Sequence, residues 1–382
     1  MTPARLPSWE FEIMKIERVT LSVVAMSLHT PFKASTHGAD ALRHILVKLE
    51  GDGITAWGEC AAPTEPYYMG ETTETCWHIM KDFLAPAVVG KEWSDPYEFA
   101  RLYERTKGNG FAKSGLEMAA WDFAARANGR SLSAELGGTR PEILSGVSLG
   151  IQRDLDKLIA TIQKYVDQGY RRVKMKIAPG FDVEPVRAVR ERFPDLAVMA
   201  DANSAYRLAD ADHLRQLDAF DLMMIEQPLE WDDMVNHAQL QTMMKTPICL
   251  DESVRTVADA RRMIDSKAGK VINIKAPRVG GFGEAKAIAE LAAANGIGVW
   301  CGGMHEFGVG RAGAVALCSL AAFDLPGDIS GSDKYFDEDI VEPVILAENG
   351  AIRVPTERVG LGWEPVEGRI AARTLATAVI TA

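Results

Sequence analysis

The sequence predicts an α/β protein in which a barrel of parallel strands follows a smaller α+β domain. Three observations carry this reading. The first part of the chain reads as strands and then helices, whereas from about Leu144 short apolar runs alternate with amphipathic helices. Five charged residues, Lys176, Asp201, Glu226, Asp251 and Lys275, fall at or near the ends of successive apolar runs, at intervals of 25, 25, 25 and 24 residues. That spacing is the length of a βα unit.

In chain order, "MKIERVTLSVVAM" (14 to 26), "RHILVKLEG" (43 to 51) and "ITAWGEC" (54 to 60) are rich in β-branched residues. Gly51-Asp52-Gly53 between the last two is a hairpin signature. In "SGLEMAAWDFAARANG" (114 to 129) Leu116, Ala119, Ala120, Phe123 and Ala127 recur at helical spacing, and Asn128-Gly129 is the stop signal. An α+β domain over 1–140 follows from this order. The runs "GVSLGI", "RRVKMKI", "LAVMAD", "LMMIE", "PICLD", "VINIK" and "IGVWCG" then read as seven strands separated by helices. That number with parallel pairing points to a barrel over 141–335.

Composition narrows the class. The 53 acidic against 42 basic residues give a net charge of -11 with no basic cluster, which argues against a nucleic-acid partner. No apolar run is long enough to span a bilayer and no signal pattern stands at the start, so neither a membrane nor export is expected and the cytoplasm is the expected compartment. The five cysteines show no C-x-x-C spacing and read as small buried residues rather than a disulfide framework or thiolate zinc site.

The C-terminal ends of barrel strands ring one mouth, so the five periodic residues become neighbours. Three carboxylates on adjacent strands would repel one another without a cation. Their hard oxygens suit Mg²⁺ or Mn²⁺. In "YRRVKMKIAPG" Lys174 and Lys176 share one face of their strand, while Val173, Met175 and Ile177 take the other. In strand order these lysines lie on one side of the acidic trio and Lys275 on the other. A metal that accepts a substrate carboxylate stabilises the enediolate left by α-proton removal, and a lysine with a lowered pKa can act as the base. The reading is proton abstraction α to the carboxylate of a small-molecule substrate, by two-base racemisation or one-base elimination.

"KMKI", "MADANSAY", "MIEQPLE", "CLDES", "NIKAPRVGG" and "WCGGMHEFGVGRA" resemble the enolase superfamily, specifically the muconate lactonizing subgroup and its o-succinylbenzoate synthase / N-succinylamino acid racemase family. "WGEC" (57 to 60), "GLEMAAWDFAAR" (115 to 126) and "LPGDISGSDKYFDEDIVEP" (325 to 343) extend the likeness over most of the chain. The resemblance implies a modified (β/α)₇β TIM-like barrel under an α+β capping domain, with 336–382 returning to the cap, in a homo-oligomer. It implies Asp201, Glu226 and Asp251 as ligands of Mg²⁺, Lys176 and Lys275 as general acid/bases, and Lys174 as a cation keeping Lys176 deprotonated. Ser148 and Asn203 match substrate-contacting positions, and Gly303, Met304 and His305 match a loop that meets a succinyl arm. Arg278 stands in the K-x-x-R-V-G-G pattern, where it could tune Lys275. The implied reactions are syn-dehydration to o-succinylbenzoate on the menaquinone pathway and racemisation of N-succinylamino acids. Dipeptide epimerisation and muconate cycloisomerisation are alternatives on the same scaffold.

Departures from the family pattern bear on specificity. "TPFKASTHGAD" (30 to 40) has Lys33 where the family commonly has Arg, followed by the unusual Ser35-Thr36-His37, while His305 and Phe307 replace an aliphatic and a Ser or Thr at positions expected to line the pocket. A rival from another class is a nicotinamide-dependent oxidoreductase, because "GVGRAG" (308 to 313) matches G-x-G-x-x-G between a strand and a helix. Against it, Asp324 and Asp328 downstream read as part of a Pro/Gly loop rather than a strand end. A milder reading of the same glycines is a helix N-terminus whose amides meet an anionic substrate group.

Overall fold

The structure is a computed structural model that describes residues 13–33 and 38–382. Ser35, Thr36 and His37 lie outside the described residues, as do the side chains of Phe32 and Lys33.

The cap sheet begins with β1 (Arg18–Lys33), β2 (Gly38–Gly51) and β3 (Ile54–Cys60), paired antiparallel in that order. Asp52 and Gly53, at φ 49° and 74°, make the two-residue turn between β2 and β3 in the left-handed conformation that suits a hairpin. The long helix α1 (Gly110–Ala127) lies across β3 and is buried on nearly every face. Two glycines allow the contact: a Cβ on Gly58 would stand 2.2 Å from Gly115 O, and one on Gly115 would stand 2.8 Å from Cys60 Cβ.

The barrel is built from β4 (Val147–Leu149), β5 (Arg172–Lys176), β6 (Ala197–Asp201), β7 (Ile225–Glu226), β8 (Ile248–Leu250), β9 (Val271–Ile274) and β10 (Gly298–Cys301). All neighbours pair parallel in sequential order. The helices that return the chain include α2 (Leu155–Asp167), α3 (Val183–Arg192), α4 (Met234–Met243), α5 (Val257–Ser266), α6 (Phe282–Ala294) and α7 (Gly308–Cys318). Along β6, β7 and β8, Met199, Met224 and Cys249 each stand two residues before a terminal acid. They share its face and, with Val271 and Trp300, form a buried apolar floor.

The stretch after α7 that carries Asp324 and Asp328 forms no strand of the sheet, as its reading as a Pro/Gly loop expected, but it is bonded to both edges of the sheet. Leu325 N donates to Val299 O on β10, and Asp328 N to Cys301 O, while Gly327 bonds both Leu144 O and Gly146 N beside β4. This short extended segment spans the gap between the first and last strands, as an eighth strand would, and carries Asp328 to the barrel mouth. Pro326 and Gly327 disguise it, since both are depleted in strands.

The C-terminal strand β11 (Thr374–Thr381) pairs antiparallel with β1 on the cap sheet. Cap and barrel are joined by buried carboxylates at the ends of barrel helices. Glu117 of α1 accepts from Phe282 N and Gly283 N at the start of α6, and Glu59 of β3 accepts from Phe307 N at 2.8 Å and Gly310 N at 2.7 Å at the start of α7. Gly281 has no Cβ because Glu117 Oε2 would lie 1.7 Å from it. All five cysteines are buried and free. Among the described residues no helix is long and apolar enough to cross a membrane.

Candidate active site

Register alone assembles the mouth of the barrel. Lys176 is paired with Asp201 across β5 and β6, Asp201 with Glu226 across β6 and β7, and Glu226 with Cys249 across β7 and β8. Asp251 stands two residues beyond Cys249 on the same side, and Lys275 directly follows β9. Asp201, Glu226, Asp251, Lys174 and Lys275 are all buried.

Each carboxylate is turned towards a lysine. Lys174 Nζ donates to Glu226 Oε2 at 2.7 Å and lies 3.0 Å from Asp201 Oδ2. Lys176 Nζ donates to Asp201 Oδ2 at 2.6 Å and to Asn203 Oδ1 at 2.5 Å. Lys275 Nζ donates to Asp251 Oδ2 at 2.8 Å, and Arg278 holds the other oxygen of Asp251. Arg278 is thus a partner of the carboxylate that pairs with Lys275, fixed by its own bonds to Val254 O and Asn273 O.

A cavity of about 140 Å³ opens above these groups. Lys176 and Asn203 face it from one side and Lys275 from another, with Ser148, Gly303, Met304 and His305 also in its wall. The cap contributes Leu42, His44, Pro63, Tyr67 and Tyr68. Phe307 does not line the cavity. It is fully buried beneath the wall, with its ring stacked on His44 at 4.4 Å, because the helix α7 that it precedes turns it inward. Of the two departures expected in the pocket, His305 is there, and Phe307 lies behind the wall, against His44 and Phe336.

Sequence reasoning missed four contributors. Asn273 Nδ2 donates to Glu226 Oε1 at 2.7 Å, and its place two residues before Lys275, on the same strand face, was a usable signal. Asp328 lies 3.5 Å from Lys174 Nζ and pairs with buried Arg172 at 3.0 Å. Tyr68 and His44 come from the cap, and no periodicity within the barrel could have located them.

The electrostatics divide the buried acids into two groups. Burial would raise Asp201, but its ion pairs with Lys174 and Lys176 outweigh that and hold it well below the carboxylate range. Asp251 is likewise brought down to about 2 by Lys275 and Arg278 against burial. For Glu226 and Glu252 the nearby lysines do not outweigh burial and the neighbouring acids. Burial and then Asp201 push Glu226 up to about 7, and burial and then Asp251 push Glu252 up to about 8. Glu252 Oε2 and Asn273 Oδ1 are buried with no hydrogen-bond partner among the described residues.

Among the described residues, no three His, Cys, Asp or Glu side chains converge as a ready metal cage, since lysine ammonium groups hold the carboxylates here. The chemistry of the donors nonetheless fits a hard divalent cation: three buried carboxylates on adjacent strands over an apolar floor, with Glu226 and the adjoining Glu252 pushed up by burial and by their acidic neighbours. Burial works to lower Lys275, yet Asp251 and Tyr68 raise it, and Lys174 is likewise raised by Asp201 and Glu226. This arrangement therefore gives the reverse of the lowering that a base requires. The carboxylates that raise these lysines are the same ones a cation would engage.

The G-x-G-x-x-G match has no room for a phosphate. At the start of α7 the amides of Phe307 and Gly310 are taken by Glu59, and that of Gly308 by Asp339 Oδ1 at 2.9 Å. Acidic side chains of the chain itself occupy the positions an anionic ligand would need, which removes both the dinucleotide reading and the milder anion reading.

Comparison with known proteins agrees with this geometry. Residues 16–137 match the family "Mandelate racemase / muconate lactonizing enzyme, N-terminal domain", and residues 157–369 match "Enolase C-terminal domain-like". The chain is 48% identical to the o-succinylbenzoate synthase of Bacillus subtilis (strain 168), over 92% of this chain and 95% of that one. It is 45% identical to the N-succinylamino acid racemase of an Amycolatopsis species, over 92% and 96%. The crystal structure of an enolase superfamily member from Listeria innocua superposes with a TM-score of 0.94 at 41% identity, covering 96% of this chain and 99% of that one. The chain belongs to the enolase superfamily, in its mandelate racemase / muconate lactonizing enzyme branch.

Proposed function

We propose that this protein abstracts the proton α to a substrate carboxylate, acting as an o-succinylbenzoate synthase, an N-succinylamino acid racemase, or both. The observation that carries the reading is the placement of Lys176 and Lys275 on different strands around one cavity, Lys176 in register with Asp201 and Lys275 bonded to Asp251 of the same buried acidic trio. A substrate carbon between them would present one face to each ammonium or amine. The names carried by the relatives, o-succinylbenzoate synthase at 48% identity and N-succinylamino acid racemase at 45%, support both reactions on this scaffold.

In this reading Asp201, Glu226 and Asp251 hold Mg²⁺, or Mn²⁺ in its place. When bound, the cation supplies positive charge that stabilises the carboxylate as the α-proton leaves. The protein's own groups do the rest. With Asp251 engaged elsewhere, Lys275 would lose the carboxylate that holds its pKa up, and the Nζ of Lys176 or of Lys275 takes the proton. Lys174, held on the apolar floor with Nζ 5.0 Å from the Trp300 ring centroid, acts as a fixed positive charge beside Lys176. In racemisation one lysine takes the proton from one face and the other returns a proton to the opposite face. In dehydration one lysine takes the α-proton and returns it to the departing hydroxyl on the same face, so that the C–O bond breaks and water leaves, while the other lysine stabilises by its charge. Ser148 and Asn203 bind the substrate near Lys176, and Gly303, Met304 and His305 meet its acyl arm. Burial, with Lys334 and Arg311 nearby, brings His305 down to about 3, so it serves as a neutral hydrogen-bonding group.

The test is a pair of assays on the protein with Mg²⁺: conversion of the cyclohexadiene carboxylate precursor to o-succinylbenzoate, and racemisation of N-succinylamino acids. At least one is expected to proceed and to stop when the metal is chelated. Activity in neither assay refutes the proposal.

A further inference from the structure

We infer that Tyr68 is the positioning residue through which the cap holds Lys275, so that proton transfer on the Lys275 side depends on a seated cap while the Lys176 side does not. This rests on the two-lysine reading above. The two lysines are held in different ways. Lys176 is fixed by Asp201 and Asn203, both from the barrel. Lys275 shares its surroundings with a residue of the cap: its Nζ lies 4.3 Å from the centroid of the Tyr68 ring. Tyr68 OH donates to Asp251 Oδ1 at 2.7 Å and accepts from Arg278 Nη1 at 3.2 Å. One phenol therefore touches the ammonium, its carboxylate partner and the guanidinium behind that carboxylate.

The cap is built to keep the ring there. Tyr68 packs edge-on against Phe111 in the first turn of α1, and Glu71, three residues on, accepts from Phe111 N and Ala112 N. Helix α1 is in turn tied to the barrel by Glu117 at the start of α6, the helix that follows Lys275 and Arg278. A flat ring over one face of an ammonium leaves it fewer directions in which to move, and the attraction between ring and cation holds it at that face. Loss of the ring frees the long lysine stem, and a reacting group displaced by about 1 Å can lose on the order of a hundredfold in rate.

The experiment uses the full-length protein with Mg²⁺ and each enantiomer of an N-succinylamino acid in D₂O. It follows inversion and α-deuterium incorporation separately. The enantiomers have equal energy, so any variant slows racemisation equally in both directions. Exchange without inversion is what separates the two lysines. K275A and K176A identify the enantiomer each lysine serves. Y68L is expected to slow racemisation about a hundredfold while exchange of the enantiomer served by Lys176 stays within about threefold of wild type. Y68F keeps the ring and loses the hydroxyl, and about a tenfold loss is expected on the Lys275 side alone. Mn²⁺ affinity, titrated without substrate, is expected to fall on the order of tenfold in both variants, because each loses the hydrogen bond from Tyr68 OH to Asp251, so exchange is compared at saturating metal to separate positioning of Lys275 from weaker binding at the acidic trio. Equal loss of exchange for both enantiomers, or unimpaired racemisation in Y68L, overturns the inference. Y68F, which preserves the packing against Phe111, decides the matter if Y68L does not fold. Exchange of neither enantiomer by the wild type overturns the two-lysine reading itself and this inference with it.

Discussion

Lys174 shows how one residue can make the site stable before any ligand arrives. Its ammonium is buried against Glu226, Asp201 and Asp328, at 2.7, 3.0 and 3.5 Å. Lys174→Met keeps the stem and removes the charge, which leaves buried acids uncompensated. The expected cost is about 3–5 kcal/mol, read by denaturant unfolding without metal. If the trio takes up Mg²⁺, saturating Mg²⁺ should raise the Tm of this variant more than that of the wild type. An equal Tm response in both would place the metal elsewhere. The alternation of Lys174 and Lys176 on one face was legible because a strand has a strict two-residue period. Asn273 obeys the same rule two residues before Lys275. Asp328 was not legible, because Pro326 and Gly327 conceal the extended segment that carries it, and Tyr68 was not, because its contacts lie about two hundred residues away in the chain.

At the scale of elements, the cap is joined to the barrel by acids that meet the free amides at the starts of barrel helices. Glu117 is the most informative of these. It is fully buried, and burial pushes its carboxyl up to about 7 against the pull of the Gly283 and Phe282 amides. Unfolded, it would titrate near about 4.3. Because the folded value is the higher one, its contribution to stability is fully present below about pH 4 and is lost as pH rises through 7. Wild-type stability should therefore fall by about 3 kcal/mol relative to Glu117→Gln between about pH 4 and 8, measured by urea unfolding at each pH. The same slope in both proteins would mean that Glu117 carries its charge when folded. These junctions also explain why the G-x-G-x-x-G match misled: the glycines at the start of α7 admit a close neighbour, and that neighbour is Glu59 of the same chain.

For the molecule as a whole, the seven barrel strands were legible because apolar runs, turns and a regular period of charged residues pointed the same way. Strand register then converted that period into proximity, placing Lys176, Asp201 and Glu226 side by side. What the period could not convey was the contribution of the cap, since a pocket closed by two parts of a chain depends on how they dock. Phe307 illustrates this. Its substitution stands in the barrel sequence, but its ring lies behind the cavity wall, stacked on His44 of the cap. The central claim is that Lys176 and Lys275 act on opposite faces of one α-carbon. The direct measurement is α-proton exchange in D₂O with Mg²⁺ for both enantiomers of an N-succinylamino acid, in the wild type, Lys176→Ala and Lys275→Ala. The account predicts that each variant loses racemisation by at least about a thousandfold and keeps exchange for one enantiomer only, a different one in each. Exchange of both enantiomers in either variant, or wild-type racemisation in both, would contradict it.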